Sequence, residues 1–275
     1  MKNYNRLKKI SNNIRKKIIE RSIPNGGHIS TSFSCVEILV ALYFGKILNV
    51  SNKNPNHKTR DRFILSKGHA ETGLYSVLCE KNFFPETWWK NYRTNNCQLG
   101  GHADHHVPGV ELTTGSLGHG LSYGAGISYA AKLSKKNHNQ FVLIGDAECS
   151  EGSIWEAALF SAKYKLDNLI AIIDKNEIGS LDFVSNFTKI DPLKDKWNSF
   201  GWNVKEIDGH NFNQVIKTLN YFKKLNNNKP NVIIANTIKG KGVSFIENDP
   251  IWHVKQLNDI NEINNARNEL EKNDK

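Results

Sequence analysis

The segment IGDAECSEGSIWEAAL (144–159) places Asp146, Glu148 and Glu151 within six residues, in a chain of 275 residues with a formal net charge of +10. Acid gathered in a basic chain asks for a positive ligand. Asp146 follows the apolar run QFVLIG, and Asn176 follows a second run, LIAIIDK, thirty residues on. A helical stretch at 153–165 lies between them, so the three pieces read as a βαβ unit whose right-handed crossover brings Asp146 and Asn176 to one sheet edge. That is the edge at which open α/β sheets bind ligands. A carboxylate with an amide oxygen suits Mg2+, a hard ion that takes few protein oxygens and completes its octahedron with phosphate and water. The residues therefore predict a diphosphate held through a metal; the competing reading is an ordinary strand-end turn at Gly145–Asp146, with Asn176 as a cap. The glycine stretch GSLGHGLSYG (115–124) matches neither a Walker A sequence nor GxGxxG, which makes a metal more necessary.

Positioning such a pair requires a sheet with covered faces. An amphipathic helix is predicted at 4–22, with Leu7, Ile10, Ile14 and Ile18 on its buried side, followed by more buried helices at 34–48 and 71–82. A helix rich in Gly, Ala and Ser follows at 120–135. Strands are predicted at 140–146 and 169–176, and again in WNVKEIDG and NVIIANTIKG, around a helix at 211–225. The alternation implies an α/β fold with a doubly wound, mainly parallel sheet flanked by helices. Residues 178–200 are expected to form a long, mostly irregular connection. At 39% hydrophobic, the chain fits a single domain over 1–275, with a polar extension at about 251–275 reaching away from the core.

Cys35, Cys79, Cys97 and Cys149 stand far apart without a CxxC pair, so neither a disulfide framework nor a structural zinc site is expected, and the setting is read as cytoplasmic. The longest apolar run, CVEILVALYFGKIL, contains Glu37 and Lys46 and falls short of the ~20 residues that span a bilayer. No signal-peptide core and no membrane partner are expected. The lysines are scattered rather than gathered with aromatics, and runs such as RLKKISNNIRKKIIER read as solvated helix faces, so no nucleic-acid partner is expected.

The stretch GDAECSEGSIWEAALFSAKYKLDNLIAIIDKN (145–176) resembles the thiamine diphosphate motif of transketolases, which opens with Gly-Asp-Gly and closes with Asn about thirty residues later. Further signatures stand in order around it: GGHIS (26–30), SKGHAETGLY (66–75), GGHADHHVPGVELTTGSLGHGLS (100–122), TIKGKGVSF (237–245) and a Trp-His pair at 252–253. The resemblance covers nearly the whole chain and is to the amino-terminal, diphosphate-binding half of the family. It implies the amino-terminal subunit of a split transketolase, completed by a carboxy-terminal, pyrimidine-binding chain in an assembly of two copies of each. The implied cofactors are thiamine diphosphate and Mg2+ or Ca2+, and the implied reaction transfers a two-carbon ketol unit from a ketose or its phosphate to an aldose.

Carried over position by position, the resemblance makes Asp146, Asn176 and the backbone carbonyl of Ile178 metal ligands. It sets Gly145 and Ala147 in the cofactor-binding turn, His69 on the diphosphate, and Gly115 and Leu117 on the aminopyrimidine through their backbone. Glu151 would reach toward the neighbouring subunit, with Glu156 near that interface and Glu148 merely solvated. His28, His102 and His253 would join His69 around the thiazolium and the sugar, where imidazoles can bond hydroxyls and move protons. Three positions depart from the pattern. Ala147 replaces a glycine, at a cost of about 1 kcal/mol if that φ must be positive; Val254 replaces the glycine after Trp-His; and His119 replaces a glutamine. His57, His105, His106 and His138 match nothing in the pattern and are expected at the surface. Another thiamine diphosphate enzyme, such as a deoxyxylulose-phosphate synthase or a 2-oxo-acid dehydrogenase component, and a non-catalytic doubly wound binding module remain the alternatives.

Overall fold

Among the residues that the structure describes, 4–180 and 182–273, five parallel strands form one sheet in the computed structural model. These are β1 (Arg62–Leu65), β2 (Gln140–Gly145), β3 (Leu169–Lys175), β4 (Asn203–Asp208) and β5 (Asn231–Asn236), in the order β1-β2-β3-β5-β4. Leu65 aligns with Leu143, Leu143 with Ile172, and Ile172 with Ile233. The central strands are continuous apolar runs because helices cover both faces. On one face α1 (Asn5–Asn25), α2 (Ile29–Ser34), α3 (Val36–Phe44) and α4 (Glu71–Glu80) pack with Phe63, Phe141, Ile170 and Ile233. The short α5 (Glu86–Lys90) buries Trp89 in the same core. The opposite core joins α6 (His119–Leu133) and α7 (Gly152–Lys163) to Ile64, Val142, Ile144, Ala171 and Ile173. Gly124 lets α6 sit directly on β2, since a Cβ there would lie 2.5 Å from Val142 Cγ2.

The doubly wound α/β reading holds, with corrections in detail. Strand β1 is an addition to the expected strands, because four residues are too few to show a period. The expected helix at 34–48 is the shorter α3, and the separate α2 precedes it, with Cys35 between the two. Residues 178–200 form the expected long connection, though not a bare loop: α8 (Val184–Phe187) and α9 (Leu193–Ser199) lie within them, and α9 buries Trp197. The chain then lays β4 at the sheet edge and returns through α10 (Phe212–Lys224) to insert β5 beside β3. The expected polar extension at 251–275 is packed rather than free. Within it α11 (Ile260–Lys272) buries Ile263, Ala266 and Leu270, one face at helical spacing, and Asn12 donates to the Leu270 carbonyl at 2.6 Å. Finally, His138 is buried beside Gln140, its Nδ1 lying 2.6 Å from Gln140 Nε2, and is not a surface residue.

The four cysteines are free thiols. Among the described residues no helix is long and apolar enough to cross a membrane. The lysines are less scattered than expected: Lys132, Lys135, Lys136, Lys223 and Lys224 share a cleft of about 440 Å³ with several asparagines, and no aromatic side chain lines it.

Candidate active site

Four strands end on the same edge of the sheet, and each is followed by residues of one cavity. Beyond β1 come Lys67 and His69, beyond β2 Asp146, beyond β3 Asn176 and Ile178, and beyond β5 Lys239. The loops before α2 and α6 and after Trp252 add His28, His102, Gly115, Leu117 and His253. The cavity encloses about 280 Å³. Every residue expected in the site from the sequence lines it, Gly145 and Ala147 included, except Glu151. That residue sits at the N-terminal end of α7 and is exposed, as is Glu156.

Asp146 is buried, and its two carboxylate oxygens accept from the N–H groups of Ala147 (2.8 Å) and Glu177 (2.6 Å). Burial, with Asp174 nearby, raises its carboxyl to about 6, the mark of an acid placed where a cation is wanted. Glu177 supplies its N–H from the left-handed region at φ 62, a strained conformation held by the turn between Asn176 and Ile178. Asn176 donates through Nδ2 to Asp174 at 3.1 Å and its amide oxygen accepts from Ile178 N–H at 3.2 Å, which fixes the amide. A carboxylate, an amide oxygen and a backbone carbonyl make a hard-ion donor set, so the residues fit a divalent metal. Ala147 is not among the positive-φ residues, and it opens a 3₁₀ turn, so its methyl replaces a glycine without backbone strain.

Beneath this turn lies a buried polar scaffold that sequence reasoning missed. Asp174 binds the Lys67 ammonium and accepts from Ser34 Oγ (2.6 Å) and Thr237 Oγ1 (2.5 Å). Burial alone would raise the Asp174 carboxyl, yet Lys67 and these hydroxyls hold it below the ordinary range. Its signal was available as a charge inside an otherwise apolar strand. Glu148, expected to be solvated, is buried instead. Its carboxylate accepts from Ser66 Oγ (2.5 Å), Gly118 N–H (2.8 Å) and Gly145 N–H (3.0 Å), which ties the ends of β1 and β2 to the glycine loop. Gly118 turns that loop at φ 88, and a Cβ there would meet Ser153 Oγ at 2.5 Å.

The imidazoles of His28, His69 and His253 form a triangle with ring centroids 5.3–5.5 Å apart. Burial lowers all three, His28 to about 4 and His253 to about 3, so they are neutral at pH 7. Lys239 Nζ lies 2.9 Å from His253 Nδ1 and donates to the Ile178 carbonyl at 3.3 Å. Burial and the neighbouring Lys67 bring its own ammonium down to about 7. The Nδ1 atom of His28 is buried with no partner among the described residues. His102 is the exposed member, and Gly115 leaves room for it: a Cβ there would stand 3.2 Å from its ring. His119 is exposed and lies outside this cavity.

Residues 8–275 match the model of the family described as transketolase, thiamine diphosphate binding domain. The chain is 46% identical to an apulose-4-phosphate transketolase subunit of Actinobacillus succinogenes, covering 92% of this chain and 91% of that protein. It is 38% identical to a 6-deoxy-6-sulfo-D-fructose transketolase subunit of a Clostridium species, covering 90% of each. Human transketolase is 36% identical over 91% of this chain, which spans 40% of that protein. The transketolase structure from Campylobacter jejuni superposes with a TM-score of 0.90 at 29% identity, covering 98% of this chain and 43% of its own. Sequence and fold thus agree: the chain belongs to the transketolase family and carries its thiamine diphosphate binding domain.

Proposed function

We propose that this chain is the amino-terminal subunit of a split transketolase, holding the metal-diphosphate end of thiamine diphosphate while a carboxy-terminal partner chain supplies the pyrimidine-binding half, two copies of each. The observation that carries the reading is the single cavity that unites the oxygen donors of Asp146, Asn176 and Ile178 with four histidines. Asp146, Asn176 and the Ile178 carbonyl would hold Mg2+ or Ca2+, Gly145 and Ala147 flank the metal turn, and His69 bonds the diphosphate. Gly115 and Leu117 offer backbone groups to the aminopyrimidine. The cofactor, when bound, supplies the carbanion equivalent that breaks the carbon–carbon bond beside a ketose carbonyl. The chain's own residues orient the sugar and manage protons. A lysine ammonium can only donate, so a charged Lys239 makes His253 Nδ1 an acceptor and puts the ring proton on Nε2. His28, neutral and with a vacant nitrogen, accepts from a substrate hydroxyl, and His102 stands at the solvent side.

Glu151 faces the partner. The exposed Tyr123, Leu133, Leu159, Phe160 and Tyr164 of α6, α7 and the turn after α7 supply the apolar surface that such a contact needs. The relatives' names favour a substrate outside the common pentose phosphates, a branched or modified ketose carrying an anionic group. A cytoplasmic location follows from this role and from the free thiols. The test is reconstitution with the carboxy-terminal chain, thiamine diphosphate and Mg2+ on a panel of plain, branched and sulfonated ketoses, with product analysis. Transfer of a two-carbon unit is expected; release of carbon dioxide from a 2-oxo acid would reassign the chemistry, and no turnover on any donor would favour a binding module.

A further inference from the structure

Two residues beyond His102, the same loop carries Asp104, His105 and His106, which have no part in the cavity. One ligand atom from each lies within 4.8 Å of the other two. Asp104 Oδ1 is 2.8 Å from His106 Nδ1 and 3.6 Å from His105 Nδ1, and the two rings are tilted by 38° with centroids 4.0 Å apart. Metal–imidazole and metal–carboxylate bonds of about 2.0–2.2 Å place adjacent ligand atoms roughly 2.8–3.6 Å apart, whether the shell is octahedral or tetrahedral. The two carboxylate–imidazole separations fall at the ends of that range. We propose that Asp104, His105 and His106 form a site for a divalent transition metal of the Zn2+ class.

The loop is braced for this. Ala103 and Val107 are buried on either side of the three residues, and Val107 N–H donates to the Asp104 carbonyl at 3.0 Å. His106 N–H donates to Asp104 Oδ1 at 2.9 Å, and Thr113 Oγ1 receives the His105 N–H at 3.1 Å. The side chains are therefore presented by a fixed backbone while remaining partly open to solvent, at 41% exposure for Asp104, 57% for His105 and 74% for His106. His105 Nδ1 lies 2.7 Å from Thr113 Oγ1, a hydroxyl that the ring would exchange for the ion. Two imidazoles with one carboxylate select Zn2+, Ni2+, Co2+ or Cu2+ over Mg2+ and Ca2+, which prefer all-oxygen shells. The site thus differs in kind from the oxygen-rich turn at Asp146. It also touches the cavity: the Tyr75 hydroxyl donates to the His102 carbonyl at 2.8 Å and accepts from Asp104 N–H at 3.2 Å. An ion that fixes Asp104 fixes the segment carrying His102.

Calorimetric titration of the chelator-stripped full chain with Zn2+ tests the site. One ion per chain is expected at Asp104, with affinity in the micromolar range or tighter. The double variant His105→Asn/His106→Asn, two surface changes, should bind at least about tenfold more weakly. The cavity histidines can also take Zn2+, so the titration is repeated on His28→Asn/His253→Asn, which should keep the site. X-ray absorption of the Zn2+-loaded chain should show two imidazoles among oxygen ligands. Wild-type Zn2+ affinity in His105→Asn/His106→Asn, or Zn2+ binding lost only in His28→Asn/His253→Asn, overturns the assignment, as does the absence of binding below millimolar Zn2+.

Discussion

The chemistry proposed for the cavity stands or falls on a few side chains. Asp146→Ala removes one of two side-chain oxygens from the proposed metal shell, so the metal and the diphosphate should be lost together. Mg2+ with thiamine diphosphate should raise the melting temperature of the wild-type chain and leave the variant unmoved; an equal shift in both would remove Asp146 from the site. In the reconstituted enzyme, His28→Ala and His102→Ala should lower turnover by about 10²–10⁴-fold with little change in cofactor affinity, and His69→Ala should do the reverse. Wild-type rates in all three would return these histidines to ordinary loop positions. Burial also gives His28 and His253 a signature in stability. Folded, they titrate at about 4 and about 3; unfolded, they protonate near the ordinary value of 6.5, so in the interval between the unfolded chain binds more protons. Their contribution to stability is thus fully present above pH 6.5 and is lost as the pH falls toward 4 and then 3. Melting of the cofactor-free chain across that window should decline, and His28→Asn/His253→Asn should flatten the decline. A parallel slope in the variant would assign it to other groups.

Elements explain why the site could be read so largely from sequence and where that reading failed. The expected residues each follow a strand or sit in a motif loop, and a parallel sheet delivers all its strand ends to one edge, so order along the chain was enough to group them. Direction was not legible. Glu148 and Asp146 stand two apart in a 3₁₀ turn, and only the packing shows that Glu148 turns inward to three donors rather than out to water. Lys67 and Lys239 lay inside recognised motifs, but a lysine in a glycine-rich loop looks like any solvated lysine until its burial is seen. The C-terminal helix was missed because Ile263, Ala266 and Leu270 are sparse among polar residues, too thin a stripe to separate from a tail. Both failures carry predictions. Glu148→Gln puts an amide N–H against a donor and should cost about 1–3 kcal/mol in denaturant unfolding while loosening the glycine loop. Leu270→Ala should cost about 2–5 kcal/mol. A free tail would give nearly zero, and that value would contradict the packing of α11.

At the scale of the whole molecule the question is what the domain lacks. Its cavity gathers oxygen donors and histidines, but among the described residues that line it no acid is free to sit beside an aminopyrimidine: Asp146 is engaged by two backbone N–H groups and Glu148 by the loop staple. The family resemblance assigns that carboxylate to a glutamate of the pyrimidine-binding domain on the opposing subunit, which implies that the cofactor lies across an interface. The apolar face of α6 and α7, where Tyr129 meets Phe160 edge-on and Tyr164 at a tilt, shares α7 with Glu151, which stands at the opposite, N-terminal end of that helix, and is where the contact is expected. An obligate interface of this kind buries on the order of 2,000 Å² or more, so a charge placed at its centre is not tolerated. Two measurements follow. This chain, purified alone and shown by mass spectrometry to be free of other polypeptides, should have no ketol-transfer activity with thiamine diphosphate and Mg2+. Adding the carboxy-terminal chain should restore it to the wild-type protein but not to Leu159→Glu/Phe160→Glu, whose far-ultraviolet circular dichroism should remain that of the wild type. Turnover by the chain alone would remove the need for a partner; assembly and full activity of the charged variant would move the contact to another face.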